Sequence, residues 1–372
     1  VFLPMTHQTV AEDRQTAGAL AKHPELATRT PVVFGGHEHE VFIDSASKSL
    51  VVKVGQDAES VGIVDIWWTA DGKMRTAHAM LPADDFPEDA ECLEFVRRKE
   101  RFLKETLGVT IAQLPAACSS VWVRYEPSSL ATWLLDQVKR GLKEDGVELV
   151  LMNAGGIRGK AVYEPGPFTL GDLYSEFGFV TEQAIVKLPG DVIAESIRFS
   201  RAGEGEKPGF LHADSGCEID DEHRVVKVDG RPLEPQKLYI VGIALPLLTG
   251  MNSIEPLLAH VEGTKLKLPD EESCPRAKEL VMKVLMKDAW RQLLGYAQWD
   301  ANRDGDLSEE EITTAIDGVL KHLDTNNDGT VSETELRGLI ESKGMQSGLL
   351  QHMIRVLDRS GDGRISREEF RD

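Results

Sequence analysis

Short apolar runs and helical spacings alternate along most of this chain. The run from Val147 to Met152 reads as a buried β-strand that ends in a turn, and Val1 to Met5, Pro31 to Phe34, Ser120 to Arg124, Ala184 to Leu188 and Leu238 to Ala244 read as further strands. Ser60 to Thr69 and Lys73 to Leu81 flank Asp71-Gly72 as a hairpin, with Trp67 and Trp68 on alternate faces as packing residues. Helical spacing runs over Glu12 to Ala21, Glu91 to Leu107, Leu130 to Leu142 and Leu170 to Glu176. Beyond Pro269 helix formers take over, and Pro275 to Trp299 places Leu280, Val284, Leu285 and Leu293 on one side. The pattern predicts an α/β (α+β) portion followed by an all-α module.

At 372 residues the chain implies two or three domains. The expected divisions are residues 1–84, a linker and connecting helix over 85–114, a second unit over 115–270 and a last module over 271–372. A net charge of -20 favours cations over nucleic acid or anionic membranes, and no apolar run approaches the roughly 20 residues of a membrane span. Cys92, Cys118, Cys217 and Cys274 lack a paired metal-ligand spacing and are expected to be buried thiols. The opening Val1-Phe2-Leu3-Pro4-Met5 has the composition of a buried strand, and any targeting segment would lie upstream of it.

Candidate chemistry sits where strands end. The stretch Asn153-Ala154-Gly155-Gly156-Ile157-Arg158 follows the Val147 strand; its glycines permit φ > 0 and close approach of a ligand, while Asn153 and Arg158 supply an amide and a cationic fork suited to phosphate or carboxylate. A plain β-turn with a surface arginine is the alternative. His7 ends the first strand, and Gly35-Gly36-His37-Glu38-His39 ends the next. Neutral imidazole suits zinc, manganese or iron, and the i, i+2 spacing of His37 and His39 points both to one face if the segment is extended.

The last module carries three calcium loops. Asp300, Asn302, Asp304, Asp306 and Glu311 supply the first; Asp324, Asn326, Asp328, Thr330 and Glu335 the second; Asp358, Ser360, Asp362, Arg364 and Glu369 the third, with Thr330 and Arg364 at the position that ligates through its backbone carbonyl. Each has Gly at position 6, and Leu307, Val331 and Ile365 fill the apolar position that pairs loops. Loops two and three are spaced to pair. Loops one and two must share one helix over Ile312 to Leu323, which has no dividing turn and leaves loop one without a partner in this chain.

The order Thr6-His7-Gln8, charged helix, Phe34-Gly35-Gly36-His37-Glu38-His39-Glu40 and hairpin resembles the second half of the metallophosphoesterase domain of 5′-nucleotidases. The resemblance implies that His7, His37 and His39 ligate part of a two-metal centre, and that the remaining ligands and the catalytic histidine lie upstream of Val1. Residues 115–255 resemble the 5′-nucleotidase C-terminal domain, which implies that Arg124, Asn153 and Arg158 face a nucleotide or related phosphoester and that Phe179 stacks on a base. Two departures stand out. Pro246 or Leu247 replaces a second stacking aromatic, and Pro127-Ser128-Ser129-Leu130-Ala131 replaces the family's pattern after the arginine. The calcium loops resemble EF-hands. Together these imply a two-metal phosphoester hydrolase with calcium-binding EF-hands, inactive as this chain alone, in a family whose members can be exported or cell-surface proteins. The second reading is a calcium sensor or buffer on a degenerate nucleotidase-like scaffold.

Overall fold

A computed structural model of the chain describes residues 1–295, 298–299, 308–343 and 346–371. They form two compact units, Val1–Lys99 and Glu100–Asp372.

In the first unit, helix α1 (Val10–Lys22) starts at a reciprocal cap: the Glu12 backbone N–H donates to Thr9 Oγ1 and the Glu12 carboxylate accepts from the Thr9 N–H. Strand β3 (Leu50–Val54) lies between β1 (Val32–Gly35), to which it is parallel, and β2 (Val41–Asp44), to which it is antiparallel. Val33 and Val51 pack with Ala17 of α1, while Val32, Leu50 and Val52 meet Ile66 and Met80. Those last two come from an antiparallel ribbon, β4 (Ser60–Trp68) with β5 (Met74–Pro82). Two expectations are corrected. Val1 to Met5 forms no packed strand: it touches β1 through a single bridge at Met5 and Phe34, and Val1, Phe2 and Leu3 are exposed. Trp67 and Trp68 are also exposed, because they stand at the turn end of a two-stranded ribbon, past the residues that cover the sheet.

Helix α2 (Ala90–Leu107) contains the division between units. The second unit then runs β6 (Thr110–Leu114), β7 (Cys118–Ser119), α3 (Ser129–Gly141), β8 (Leu149–Asn153), β9 (Val162–Tyr163), β10 (Gly166–Thr169) and α4 (Leu170–Glu176). Next come β11 (Gln183–Pro189), α5 (Gly190–Arg201), β12 (Leu211–Ala213), a meander of β13 (Cys217–Ile219), β14 (Val225–Val228) and β15 (Arg231–Pro232), then β16 (Leu238–Ala244), α6 (Leu245–Leu248) and α7 (Glu255–Thr264). The central sheet has the order β11-β16-β8-β12, with β16 and β8 parallel and the outer pairs antiparallel. Strand β8 separates two apolar cores. Val150 and Met152 pack into one, which includes α3, and Leu149 and Leu151 into the other, which includes α5. Burial on both faces explains why its sequence is continuously apolar instead of alternating.

Residues expected as a strand from Ser120 to Arg124 turn instead. Only Cys118 and Ser119 find a strand partner, in β9; beyond them Val123 N–H returns to Ser120 O and Tyr125 N–H to Trp122 O. Trp122 and Tyr125 then pack ring edge to ring face at 5.6 Å. The cysteines are all free thiols, and Cys92 is exposed on α2 where a buried thiol was expected.

The last module adds α8 (Ala277–Leu293), α9 (Glu309–Leu323), β17 (Thr330–Ser332), α10 (Glu333–Ser342), α11 (Leu350–Leu357), β18 (Arg364–Ser366) and α12 (Arg367–Arg371). Helix α8 belongs to two neighbours. Leu280 lies against Gly141 of α3, and Arg140 of α3 grips Asp288 bidentately at 2.7 and 2.8 Å. Further along, Trp290 is buried, donates from Nε1 to Met353 O of α11 at 2.8 Å and stands edge-on to Phe370 of α12. One apolar core therefore runs from α3 through α8 into the calcium-loop helices. Among the described residues no helix is long and apolar enough to cross a membrane.

Candidate ligand loop and metal sites

In the first unit, the His37-Glu38-His39 segment is set by a lysine that sequence reasoning overlooked. Lys53 of β3 is buried, and its ammonium donates to Gln8 O at 2.6 Å and Gly36 O at 2.7 Å while pairing with Asp13 at 2.9 Å and Glu38 at 2.5 Å. Glu38 also accepts the Val10 N–H at 2.6 Å. Burial disfavours charge at both groups, yet the contacts prevail: the Glu38 carboxyl is held below its usual range and the Lys53 ammonium above its own. Turning Glu38 inward twists its neighbours, and His37 and His39 adopt φ of 90° and 63°. The extended segment assumed for a shared face is absent, so the same-face argument fails. His7 and His37 do come together, ring centroids 5.3 Å apart, and a Cβ on Gly36 would lie 3.3 Å from His7 Nδ1. Among the described residues no three His, Cys, Asp or Glu side chains gather closely enough to hold a metal ion. Two imidazoles fit a part of a transition-metal site, not a complete one.

The loop after β8 is built as a 3-10 turn, Ala154–Gly156. Neither Gly155 nor Gly156 takes the left-handed conformation anticipated for it; their need is for space. A Cβ on Gly155 would stand 2.9 Å from Asn153 Nδ2, and one on Gly156 3.2 Å from Met152 Sδ. Asn153 is buried and donates from Nδ2 to Asn252 Oδ1 at 2.9 Å and to Pro208 O at 3.3 Å. The Thr249 to Ser253 turn thus reaches the loop through an amide, while Leu247 is fully buried in the core.

Arg158 and Phe179 meet at the rim. The guanidinium carbon lies 5.2 Å from the ring centroid, and Phe179 is 58% exposed, so it is no part of the core. Behind them Glu176 is fully buried. Its backbone carbonyl accepts the Arg158 N–H at 2.8 Å, and its carboxylate accepts from Ser120 Oγ at 2.8 Å, Tyr163 OH at 2.9 Å and the Gly159 N–H at 3.3 Å. Burial raises the Glu176 carboxyl above its ordinary range, against the pull of those donors. Nothing in the sequence marks Glu176 except its place seven residues into a capped helix. Arg124 is on the turn after β7 and pairs with Glu206. His212 of β12 holds that turn, with Nε2 2.8 Å from Val123 O, and burial lowers its pKa to about 4.

Of the calcium loops, Asp300, Asn302, Asp304 and Asp306 lie outside the described residues; Glu311 caps α9 through Ser308. Loops two and three pair as expected through β17 and β18, with Val331 opposite Ile365. Their carboxylates are turned onto loop backbone. Asp324 accepts the N–H groups of Asp328 and Gly329, and Asp358 those of Gly361, Asp362 and Gly363. Glu335 spans its loop from Ser332 to Thr325 and Asn326, and Glu369 spans its own from Ser366 to Arg359 and Ser360. Donation from Ser332 holds Glu335 down to about 2; at Glu369 burial works upward but the N–H donors of Ser366 and Ser360 outweigh it, again to about 2. An all-oxygen donor set kept ionised in this way fits a hard cation such as calcium. Asn326 and Ser360 keep their side chains on the neighbouring Asp328 and Asp358, and the Asp362 carboxylate accepts the Arg364 N–H.

Comparison with known proteins follows these divisions. Residues 108–254 match the 5′-nucleotidase C-terminal domain family and residues 313–372 the EF-hand domain pair. The 5′-nucleotidase precursor of Thermus thermophilus superposes with a TM-score of 0.51 at 20% identity, covering 76% of this chain and 60% of that one. A Staphylococcus aureus protein provisionally named a 5′-nucleotidase gives 0.50 at 13% identity, covering 67% and 52%. Endonuclease YhcR of Bacillus subtilis (strain 168) is 23% identical over 173 residues, 44% of this chain but 14% of its own length. At such identities the structural likeness is one of fold. The chain thus joins a 5′-nucleotidase C-terminal domain, on a fold shared with 5′-nucleotidases, to a C-terminal EF-hand pair.

Proposed function

We propose that the chain is the ligand-holding portion of a metal-dependent phosphoester hydrolase of 5′-nucleotidase type, with residues 1–84 as the C-terminal part of its metallophosphoesterase domain, 115–270 as its substrate-binding domain and 271–372 as a calcium-binding module. The observation that carries this reading is the half-buried Arg158 set against the exposed Phe179 ring, in the loop that follows a fully buried strand. A guanidinium beside an open aromatic face suits a molecule that is phosphate at one end and a flat base at the other. Asn153 supplies a fixed amide at the same loop, and Glu176 keeps the loop from shifting when the anion binds. Arg124 can add a second fork once the phosphate competes with Glu206 for it. His7 and His37, being two donors, are insufficient for a two-metal centre, so no bond-breaking step is assigned to this chain. Nucleotides or related phosphoesters are the substrate class, and calcium the ion of the loops.

A second reading, a calcium sensor or buffer on an inactive scaffold, draws on the incomplete histidine set and on Glu206 occupying Arg124. Phosphate release from nucleoside monophosphates by the full-length protein, with zinc, manganese or iron added, separates the two. Hydrolysis that weakens in Arg158→Ala, with calcium binding unaltered, is expected; calcium binding without hydrolysis of any phosphoester overturns the proposal.

A further inference from the structure

Away from the Arg158 loop, the seam between the substrate domain and the EF-hand pair encloses a cleft of about 590 Å³. Tyr174 of α4, the nearby Val180, Lys278 and Met282 of α8, and Arg355 and Val356 of α11 are among its lining residues. Tyr174 and Val180 are 48% and 61% exposed, so apolar surface faces the opening.

The charges here run against those of the rest of the molecule. In a chain of net charge -20, Lys278, Lys283 and Arg355 all line this cleft, and among the described residues none of the three forms an ion pair. Arg276, also on the lining, is paired with Glu279 at 3.3 Å; that glutamate is the one carboxylate among the described lining residues. The Lys278 ammonium sits 4.1 Å from the Tyr174 ring centroid. Partial burial lowers its pKa. A partly desolvated cation without a counter-ion is costly, and an anion entering the cleft offsets that desolvation.

We propose that this cleft binds a small organic anion, a phosphate- or carboxylate-bearing molecule with a flat apolar body, at a site separate from the Arg158 loop. The volume falls in the range of about 300 to 1,000 Å³ typical of small-molecule sites, and an apolar lining with a few fixed charges is the usual composition of one. The anionic group meets Lys278, Lys283 and Arg355, while the body lies on Met282, Val180 and the uncovered part of Tyr174. Such a ligand touches α11, the helix that enters the third calcium loop, and α4, whose last residue is the Glu176 that fixes the Arg158 loop.

The test is calorimetric titration of the intact chain, calcium-loaded, with phenylphosphonate, benzoate and inorganic phosphate. At least one aromatic anion is expected to bind at a cleft site that persists in Arg158→Ala, any binding at the ligand loop being lost there; phenylphosphonate marks the phosphate class and benzoate the carboxylate class. Affinity at the cleft should fall about tenfold in Lys278→Met and in Arg355→Met, the scale of one charge-assisted hydrogen bond, and stay unchanged in Arg158→Ala. Lys283→Met replaces either variant if its thermal unfolding shows a loss of fold. Equal binding by the cleft variants, loss of binding in Arg158→Ala alone, inorganic phosphate binding as tightly as the aromatic anions, or no binding by any of them overturns the proposal.

Discussion

Arg364 of the third calcium loop reaches across to the second, donating from Nη1 to Asp328 Oδ2 at 2.6 Å and to Thr330 Oγ1 at 3.2 Å. Asp328 is held well below the usual carboxylate range, first by Thr330 and then by this guanidinium. A cation at that place opposes calcium at the carboxylate it holds. Arg364→Ala is expected to raise calcium affinity at the second loop roughly two- to fivefold, the scale of a half-exposed ion pair. Titration calorimetry checks it; weaker calcium binding at that loop would mean that Arg364 organises the site instead of competing for it.

Coupling between loops should follow their pairing. Thr330 to Ser332 form a ladder with Arg364 to Ser366, so occupancy of one loop orders the other, whereas α9, one unbroken helix from Glu309 to Leu323, lies between the first loop and the second in the chain and shares no such ladder. Glu335→Gln is therefore expected to weaken two sites, and Glu311→Gln only one. Calcium titration of both variants decides; equal damage at three sites from Glu311→Gln would show that the first loop is coupled to the third through the pairs that α9 makes with α12, Arg367 with Asp317 and Arg371 with Glu309.

Gly159 offers a test of the ligand loop that alters the chemistry of no ligand-facing side chain. A Cβ there would overlap the Glu176 carboxylate, with Cδ at 2.5 Å, and that carboxylate is buried and fixed by three donors. Gly159→Ala should cost about 1 to 3 kcal/mol of stability, the usual result of overpacking, and displace Arg158. Denaturant unfolding gives the first and phosphoester affinity the second. Wild-type values for both would mean that Glu176 does not hold the loop.

Acid should loosen the Arg124 turn through His212. Burial is the main cause of its low pKa of about 4, opposed by its hydrogen bond to Val123 O; an unfolded histidine titrates near its ordinary value of 6.5. A base with a depressed folded pKa contributes stability above the unfolded value, and that contribution is lost as pH falls from 6.5 towards about 4. Urea midpoints measured between pH 7 and 4 should therefore drop more steeply for the native chain than for His212→Gln, which carries no titrating group. Parallel curves would assign the acid sensitivity elsewhere.

What could be read in the sequence was what local pattern determines. The run ending at Met152 is a strand buried on both faces, Leu238 to Ala244 forms a strand over those same residues, and the calcium loops pair at Val331 and Ile365 as their spacing requires. The failures that bear on the site involve contacts distant in sequence. Ser120 to Arg124 has strand composition, but its partner β9 is only two residues long. His37 and His39 look extended until Lys53, fourteen residues beyond His39, pulls Glu38 inward. Glu176 and Lys53 read as ordinary charged positions, since the burial that makes each of them a clamp is a property of the assembled core.

Helix α8 has consequences for how this chain can be cut and recombined. Its early turns close over α3 and its later ones receive Met353 and Phe370, so neither neighbour is complete without it. A fragment ending before Ala277 would leave part of the α3 surface without its cover, and one beginning after Leu293 would have to find another tryptophan for its groove. The helix is held in common, so the smallest piece that keeps either neighbour covered includes α3, α8 and the calcium-loop helices together.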